Sequence, residues 1–300
     1  MKFFKSLLTL ALFGGAAVGA SAAEGDSFNV LVFSKTNGFR HGDAIAVGQP
    51  FFKKQGELHG FKVELSEDPS LFTPEKLKKY QAIVLLNTTG AFLADKPRQQ
   101  APEERRAAFE NWVKEGGAIV GLHSATDSFW EGQGNWPEFH KIIGGSFQHH
   151  PHHQVSILKI VDKKHPTVAH LKGATLKSRS EPVFEYPRDD AWVCFDEWYN
   201  FKNLQRDNHI ILQVEDSTCR GARPSVFTGG EKSPVHPFAW TREYGKGKIF
   251  YTSRGHYGRA FAEPDYAQHV IAGLFTVLGK PVPKVDPESL PKIPQPKRRR

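Results

Sequence analysis

GGAIVGLHSATDSFW, residues 116–130, runs a short apolar strand straight into a histidine hemmed in by small residues. Sharp strand-to-helix turns of the form Gly-x-nucleophile-x-small hold a Ser or Cys at the tip. Here the pattern is Gly121-Leu122-His123-Ser124-Ala125, and the tip is an imidazole. Upstream, FNVLVFS (28–34) and QAIVLLN (81–87) are also apolar throughout, with helical patterns between them. Strands without polar alternation are buried on both faces, and strands alternating with helices predict a parallel sheet covered on both sides. The expected class is α/β, flavodoxin-like or Rossmann-like. Its ligands sit beyond the C-terminal ends of the strands.

The remaining elements fit this frame. Asp43 is a candidate N-cap for a helix over 44–58, with Pro50 as an obstacle. FKVELS (61–66) alternates like a strand. Thr73-Pro74-Glu75 opens a short helix, and PEERRAAFENWVKEGG (102–117) is a strong one that ends on paired glycines. The second half is richer in β-structure. It has expected strands at 153–162, 191–201 and 209–216, a hairpin over 236–256 turning at Gly245–Gly247, and a closing helix over 263–279. No repeat or linker interrupts 25–280, so one domain is expected there.

The ends read differently. Lys2 and Lys5 precede an apolar, small-residue stretch, Leu7–Ala20, and Ala20-Ser21-Ala22 fits a small-x-small cleavage rule. Residues 1–22 are therefore expected to be a signal peptide, which implies export to the periplasm or exterior. The run is too short and too rich in Gly and Ala for a stable membrane span. Residues 281–300 are Pro-rich and basic and are expected to be a disordered tail. Of the +8 formal charge, the leader carries two and the tail four, leaving +2 on the body. A body so nearly balanced argues against a nucleic-acid partner. Cys194 and Cys219 stand without any CxxC, which excludes a Cys-rich zinc site and leaves their pairing open.

Four polar clusters lie at expected loops or strand ends: Phe39-Arg40-His41; His123 with Ser124 and Asp127; the run FQHHPHHQ (147–154); and DEWYNF (196–201) with SRGHYGR (253–259). Solvation accounts for most of a histidine run, so one or two of His149, His150, His152 and His153 are expected to face a site. Asp196 and Glu197 alternate on the expected strand, so only one should face inward. Gly-x-Ser-x-Gly, Gly-x-Gly-x-x-Gly and the P-loop are all absent. These absences argue against a serine hydrolase and against a nucleotide cofactor. The missing thiol at position 123 likewise argues against amide hydrolysis. Imidazoles with a carboxylate suit proton transfer or a divalent metal such as zinc.

The ordered set GFRHGDAI (38–45), AIVLLNTTG (82–90), GGAIVGLHSATDSFW, IIGGSFQHHP (142–151), HPTVAHL (165–171), DEWYNF, HPFAWTREYGKGKIFYTSRGH (236–256) and IAGLFTVLGK (271–280) resembles the ThuA-like family of trehalose utilisation. The resemblance implies a class I glutamine amidotransferase-like fold without the thiol. It also implies enzymatic handling of disaccharides and glycosides through 3-keto intermediates, of hydrolase, lyase or isomerase type. Motif by motif it singles out Arg40, His41, His123, His150, Glu197, Tyr199, Trp240 and His256. The implied roles are His123, Glu197 and His41 in catalysis, and Arg40, Tyr199 and Trp240 on a carbohydrate substrate, with Asn87 added from its place in the loop that leaves the strand over 81–87. His41, His123, His150 and His256 are the implied holders of a divalent metal. The mechanism expected is removal of the C2 proton beside a 3-keto group by His123 or Glu197, with a metal or Arg40 on the ketone oxygen. A non-catalytic sugar-binding or scaffold protein is the competing reading.

Overall fold

Alternate residues of each apolar strand feed opposite faces of one sheet. Val30 and Val32 join one buried cluster while Leu31 and Phe33 join the other, which is why these strands show no polar alternation. The structure, a computed structural model, describes residues 27–177 and 185–293. In chain order the elements are β1 (Asn29–Phe33), α1 (Gly42–His59), β2 (Lys62–Ser66), α2 (Pro74–Leu77), β3 (Ala82–Leu86), α3 (Glu103–Lys114), β4 (Ala118–Leu122) and α4 (Pro137–Ile143). Then come β5 (Ser146–His149), β6 (Gln154–Ile160), β7 (Ala174–Lys177), β8 (Glu185–Arg188), β9 (Ala191–Asp196), β10 (Asn200–Lys202), β11 (His209–Val214), β12 (Pro237–Tyr244), β13 (Gly247–Thr252) and α5 (Pro264–Val277).

The main sheet runs β2-β1-β3-β4-β13-β12-β11-β6-β9. β2, β1, β3, β4 and β13 are mutually parallel, and from β12 onward each pairing is antiparallel. Helices α1 and α5 cover one face through Phe51, Phe52, Val270, Ile271 and Leu274. Helices α3 and α4 cover the other through Phe109, Val113, Phe139 and Ile142. The β-rich second half thus extends the expected parallel sheet. Because β9 runs in the direction of β4 and β13, their C-terminal ends lie along one edge with the start of β6. That edge carries the site.

Some local expectations change. Asp43 does not cap α1. The helix begins at Gly42 with His41 at the cap position, and the Asp43 carboxylate accepts the backbone N–H of Gly258 at 2.7 Å. Pro50 sits within α1 on its solvent side, where Ala46, which loses its helical partner, is also exposed. The strand expected over 191–201 breaks after Asp196 and resumes at Asn200. Helix α4, unforeseen, starts on Pro137 and ends on the left-handed Gly144. The tail is ordered through 293: Val285 and Leu290 enter the α1–α5 core, and Gln55 on α1 donates to Ser289. The expected disorder from 281 therefore does not hold for 281–293, where apolar residues between the prolines find a groove to fill. The expected signal peptide lies outside the described residues. Cys194 and Cys219 are both buried and unpaired. Burial pushes their thiols up to about 12 and about 11, so they are inert at neutral pH. Among the described residues no helix is long and apolar enough to cross a membrane.

Candidate active site

His123 leaves β4 with φ +47, and Asn87 leaves the neighbouring β3 with φ +51. Left-handed backbone in a non-glycine residue costs about 1–2 kcal/mol and collects at functional turns. The His123 turn is held from below, where the Tyr251 hydroxyl donates to the His123 carbonyl at 2.7 Å. The imidazole is fully buried. Its Nδ1 lies 2.7 Å from the Ser253 carbonyl, which can only accept, so Nδ1 carries a proton and Nε2 is the atom turned toward the other side chains.

That nitrogen faces a convergence of side chains. Tyr199 Oη lies 3.1 Å away, His256 Nδ1 3.2 Å and Glu197 Oε2 3.3 Å. His256 Nδ1 also stands 3.1 Å from Glu197 Oε2. His41 closes the group, edge-on to His123 and His256 with ring centroids 4.7 and 4.8 Å away and Ser124 Oγ 3.2 Å from its Nδ1. One ligating atom from each of His41, His123, Glu197 and His256 lies within 4.8 Å of all the others.

The electrostatics match a cation site. Burial, reinforced by the imidazoles of His123 and His256, pushes His41 down to about 2, so it is neutral at ordinary pH. Burial alone would raise Glu197. The imidazoles of His123 and His256 beside it override burial and hold the carboxyl well below the usual carboxylate range. Burial, followed by the charge of Glu197, drives the Tyr199 phenol far above its ordinary value, so it stays a donor. The Tyr199 hydroxyl and His256 between them offer few protons to Nε2 of His123 and an ionised Glu197. A cation among these atoms would offset their negative charge.

The segment after β9 explains how Glu197 gets there. Asp196 is buried and accepts three backbone N–H groups, those of Glu197, Gly255 and His256, at 2.9, 3.0 and 3.2 Å. These bonds end the strand, turn Glu197 inward and dock the 253–256 turn that carries His256. Gly255 has φ +117, and a Cβ there would meet Tyr266 Oη at 2.2 Å, so only glycine fits.

A model of the family described as ThuA, trehalose utilisation, matches residues 29–275. The chain belongs to the ThuA family. Solved ThuA-like proteins share its fold. That from Bacteroides uniformis is 21% identical, with a TM-score of 0.60 over 84% of this chain and 96% of that one. That from Parabacteroides merdae is 20% identical, with a TM-score of 0.56 over 86% and 93%. No curated protein matches the sequence.

In this ThuA chain the structure gathers His41, His123, Glu197, Tyr199 and His256, as the motifs implied. His150 arrives with them, its Nε2 3.3 Å from Glu197 Oε1, and so does His153, Nε2 2.7 Å from the same oxygen. His152 is exposed, and with His149 it lines a separate cleft with Arg220 and Arg223. The expectation that only one of Asp196 and Glu197 faces inward fails, because the strand ends between them.

Two expected substrate contacts are corrected by burial, and a third, Arg40, is placed on the rim. Trp240 is fully buried between Phe201 and Tyr251, with Nε1 donating to the Ile143 carbonyl at 2.9 Å, so its indole meets no ligand. Asn87 is also fully buried, and its Nδ2 donates to the Gly255 carbonyl, supporting the His256 turn. Arg40 is taken up by Glu67 in a two-pronged ion pair at 2.7 and 3.2 Å on the exposed rim. The exposed aromatic beside the site is Phe39, which is 67% exposed with its ring edge-on to His41 at 4.8 Å. Sequence reading placed Phe39 in a polar cluster without a role. His153 and Tyr257 had no signal beyond the histidine run and the motif after β13.

Proposed function

We propose that this ThuA protein is an exported, divalent-metal-dependent enzyme that cleaves or rearranges glycosides or disaccharides through 3-keto intermediates. The observation that carries the reading is the convergence of His41, His123, Glu197 and His256 on one point. Separations of 3.1–3.3 Å among His123, His256 and Glu197 compare with about 3.4 Å between ligands of a tetrahedral ion at about 2.1 Å. The fit of lone pairs, spacing and mixed N/O donors favours zinc, manganese or a similar ion over calcium. The family description supports the carbohydrate substrate, and the leader pattern at 2–22 supports export.

His41, His123, Glu197 and His256 would hold the ion, which when bound supplies Lewis-acid stabilisation to oxygen charge beside a ketone. The chain supplies the rest. His123 and Glu197, expected from sequence as the base, serve here as ligands. We assign the proton transfer to Asp127, which ends the turn that begins with His123 and stands close enough to feel the charge of Glu197. Burial, opposed by the hydrogen bond from Trp130 and aided by the charge of Glu197, pushes it up to about 7. A carboxyl with that value takes and returns protons at neutral pH, worth about two to four powers of ten in rate. In the proposed elimination the C2–H bond breaks and Asp127 takes the proton. The electron pair forms the C1–C2 double bond as the C1–O bond breaks, and the departing oxygen is protonated from Asp127. Tyr199 donates a hydrogen bond within the site, and Phe39 offers an exposed face to a sugar ring.

The test is elemental analysis of purified protein together with incubation on 3-keto-glycosides. Bound divalent metal, turnover by the wild type and its loss in Asp127→Asn are expected. A metal-free protein inert to every keto-glycoside, yet stabilised by sugars in a thermal shift, overturns the enzymatic reading in favour of sugar binding.

A further inference from the structure

Glu197 shares its two oxygens between two sets of imidazoles. Oε2 faces His123 and His256, whereas Oε1 faces His150 at 3.3 Å and His153 at 2.7 Å. His150, His153 and Glu197 form a second group whose ligating atoms lie within 4.8 Å of one another. We propose that the site takes two divalent cations, bridged by the Glu197 carboxylate. The first lies among His41, His123, His256 and Oε2, and the second among His150, His153 and Oε1. The inference rests on the metal-dependent reading above and extends it from one ion to two.

The second set is prepared by the same devices as the first. Nδ1 of His150 lies 2.9 Å from the Pro151 carbonyl. A carbonyl only accepts, so Nδ1 carries a proton and Nε2 is the atom turned to the carboxylate, as in His123. A 3.3 Å spacing is close to the separation of two ligand atoms on one tetrahedral ion. His153 is held through Nδ1 by the Tyr257 hydroxyl, the outer partner typical of a metal-bound imidazole. Its 2.7 Å contact with Oε1 is of hydrogen-bond length, so this pair must open by several tenths of an ångström to admit an ion. Three protein ligands leave a fourth position open, the pattern of catalytic rather than structural sites. The His150 and His153 side chains are 37% and 33% exposed, against 0% for His123. The second ion is therefore the accessible, exchangeable one, and the first is the enclosed one. Two-metal catalytic sites hold their ions about 3.5–4 Å apart, the span that clamps both oxygens of a reacting centre.

The experiment strips the full-length protein with chelator, reloads it with Mn(II), and measures bound metal per chain and the EPR spectrum. Wild type is expected to bind two ions with exchange-coupled spectra. The His150→Gln/His153→Gln double variant, checked by circular dichroism for an unchanged fold, is expected to keep one ion with an isolated six-line spectrum. His150→Ala/His153→Ala serves if the first pair misfolds. One uncoupled ion in wild type, retained in the double variants, overturns the second site and leaves the single-ion reading standing; His153 is then only a hydrogen-bond partner of Glu197. No bound ion in wild type overturns both.

Discussion

The carboxylate of Asp196 accepts the backbone N–H of His256 at 3.2 Å while the same oxygen accepts Glu197 at 2.9 Å, so one side chain sets two neighbours of the proposed metal centre. Asp196 touches no proposed ligand atom; it acts by position. Asp196→Asn would turn a donor toward one of these N–H groups. The expected outcome is a ten- to hundred-fold loss of metal affinity, the usual cost of damaging an outer partner. Competition titration with a metallochromic chelator checks it. Unchanged affinity with a lowered melting temperature would reduce Asp196 to a purely structural residue.

His123 combines burial, a left-handed backbone and a proposed ligand role, and two substitutions separate them. Both His123→Ala and His123→Gly are expected to lose turnover and keep the fold. Glycine adopts φ +47 without penalty and alanine does not. The Gly variant should therefore be more stable than the Ala variant by about 1 kcal/mol, or about 2–4 °C in melting temperature. Equal melting would show that the turn relaxes when the imidazole is lost. Full activity in either variant would remove His123 from the chemistry.

Trp240 and Phe39 make opposite predictions. Trp240→Phe removes a buried hydrogen bond and some packing, so about 1–3 kcal/mol of stability goes while KM for any accepted glycoside is unchanged. Phe39→Ala should raise KM and leave the melting temperature alone, since the ring is 67% exposed. Steady-state kinetics with differential scanning fluorimetry on both variants decides whether the substrate-facing aromatic is residue 39 or 240.

His269, remote from the site, carries a pH signature of its own. It is fully buried between Trp192 and Phe250, Nδ1 meets the Thr167 carbonyl at 2.8 Å, and burial pushes it down to about 3 from 6.5. Above pH 6.5 the ring is neutral in both folded and unfolded chains, and its contribution is intact. As pH falls from 6.5 toward 3, only the unfolded chain takes the proton, and stability is lost at about 1.4 kcal/mol per unit, or about 2 kcal/mol by pH 5. Urea unfolding at pH 7.5 and pH 5 should show a smaller drop for His269→Gln than for wild type. An identical drop would mean that the folded protein admits the proton.

Much of this was written in the residues. Strands buried on both faces have no polar alternation, so β1, β3 and β4 stand out, and His123 follows directly from the end of β4. Helix α2 also declares itself, since Thr73 Oγ1 accepts the Lys76 N–H as its sequence pattern implies. The inward turn of Glu197 was hidden, because Asp196 ends the strand with partners some sixty positions away, and no local pattern encodes them. His150 and His153 were separable from His149 and His152 only once the loop between β5 and β6 had a shape. Trp240 was misjudged because an indole serves a core and a sugar site equally well in sequence. The ordered tail was misread from composition, which does not show that Val285 and Leu290 have a groove waiting.

The break after Asp196 has a consequence for what the chain tolerates. Asp196, Glu197, Trp198 and Tyr199 point in turn to the 253–256 turn, the proposed ion site, the Phe238 side of the core and the His123 ring. Adding or removing one residue there would hand each task to the wrong side chain, so the length of this tetrapeptide is frozen even where its composition is not. The exposed Gly229–Gly230 turn carries no such assignment. A tag, label or fused domain belongs there.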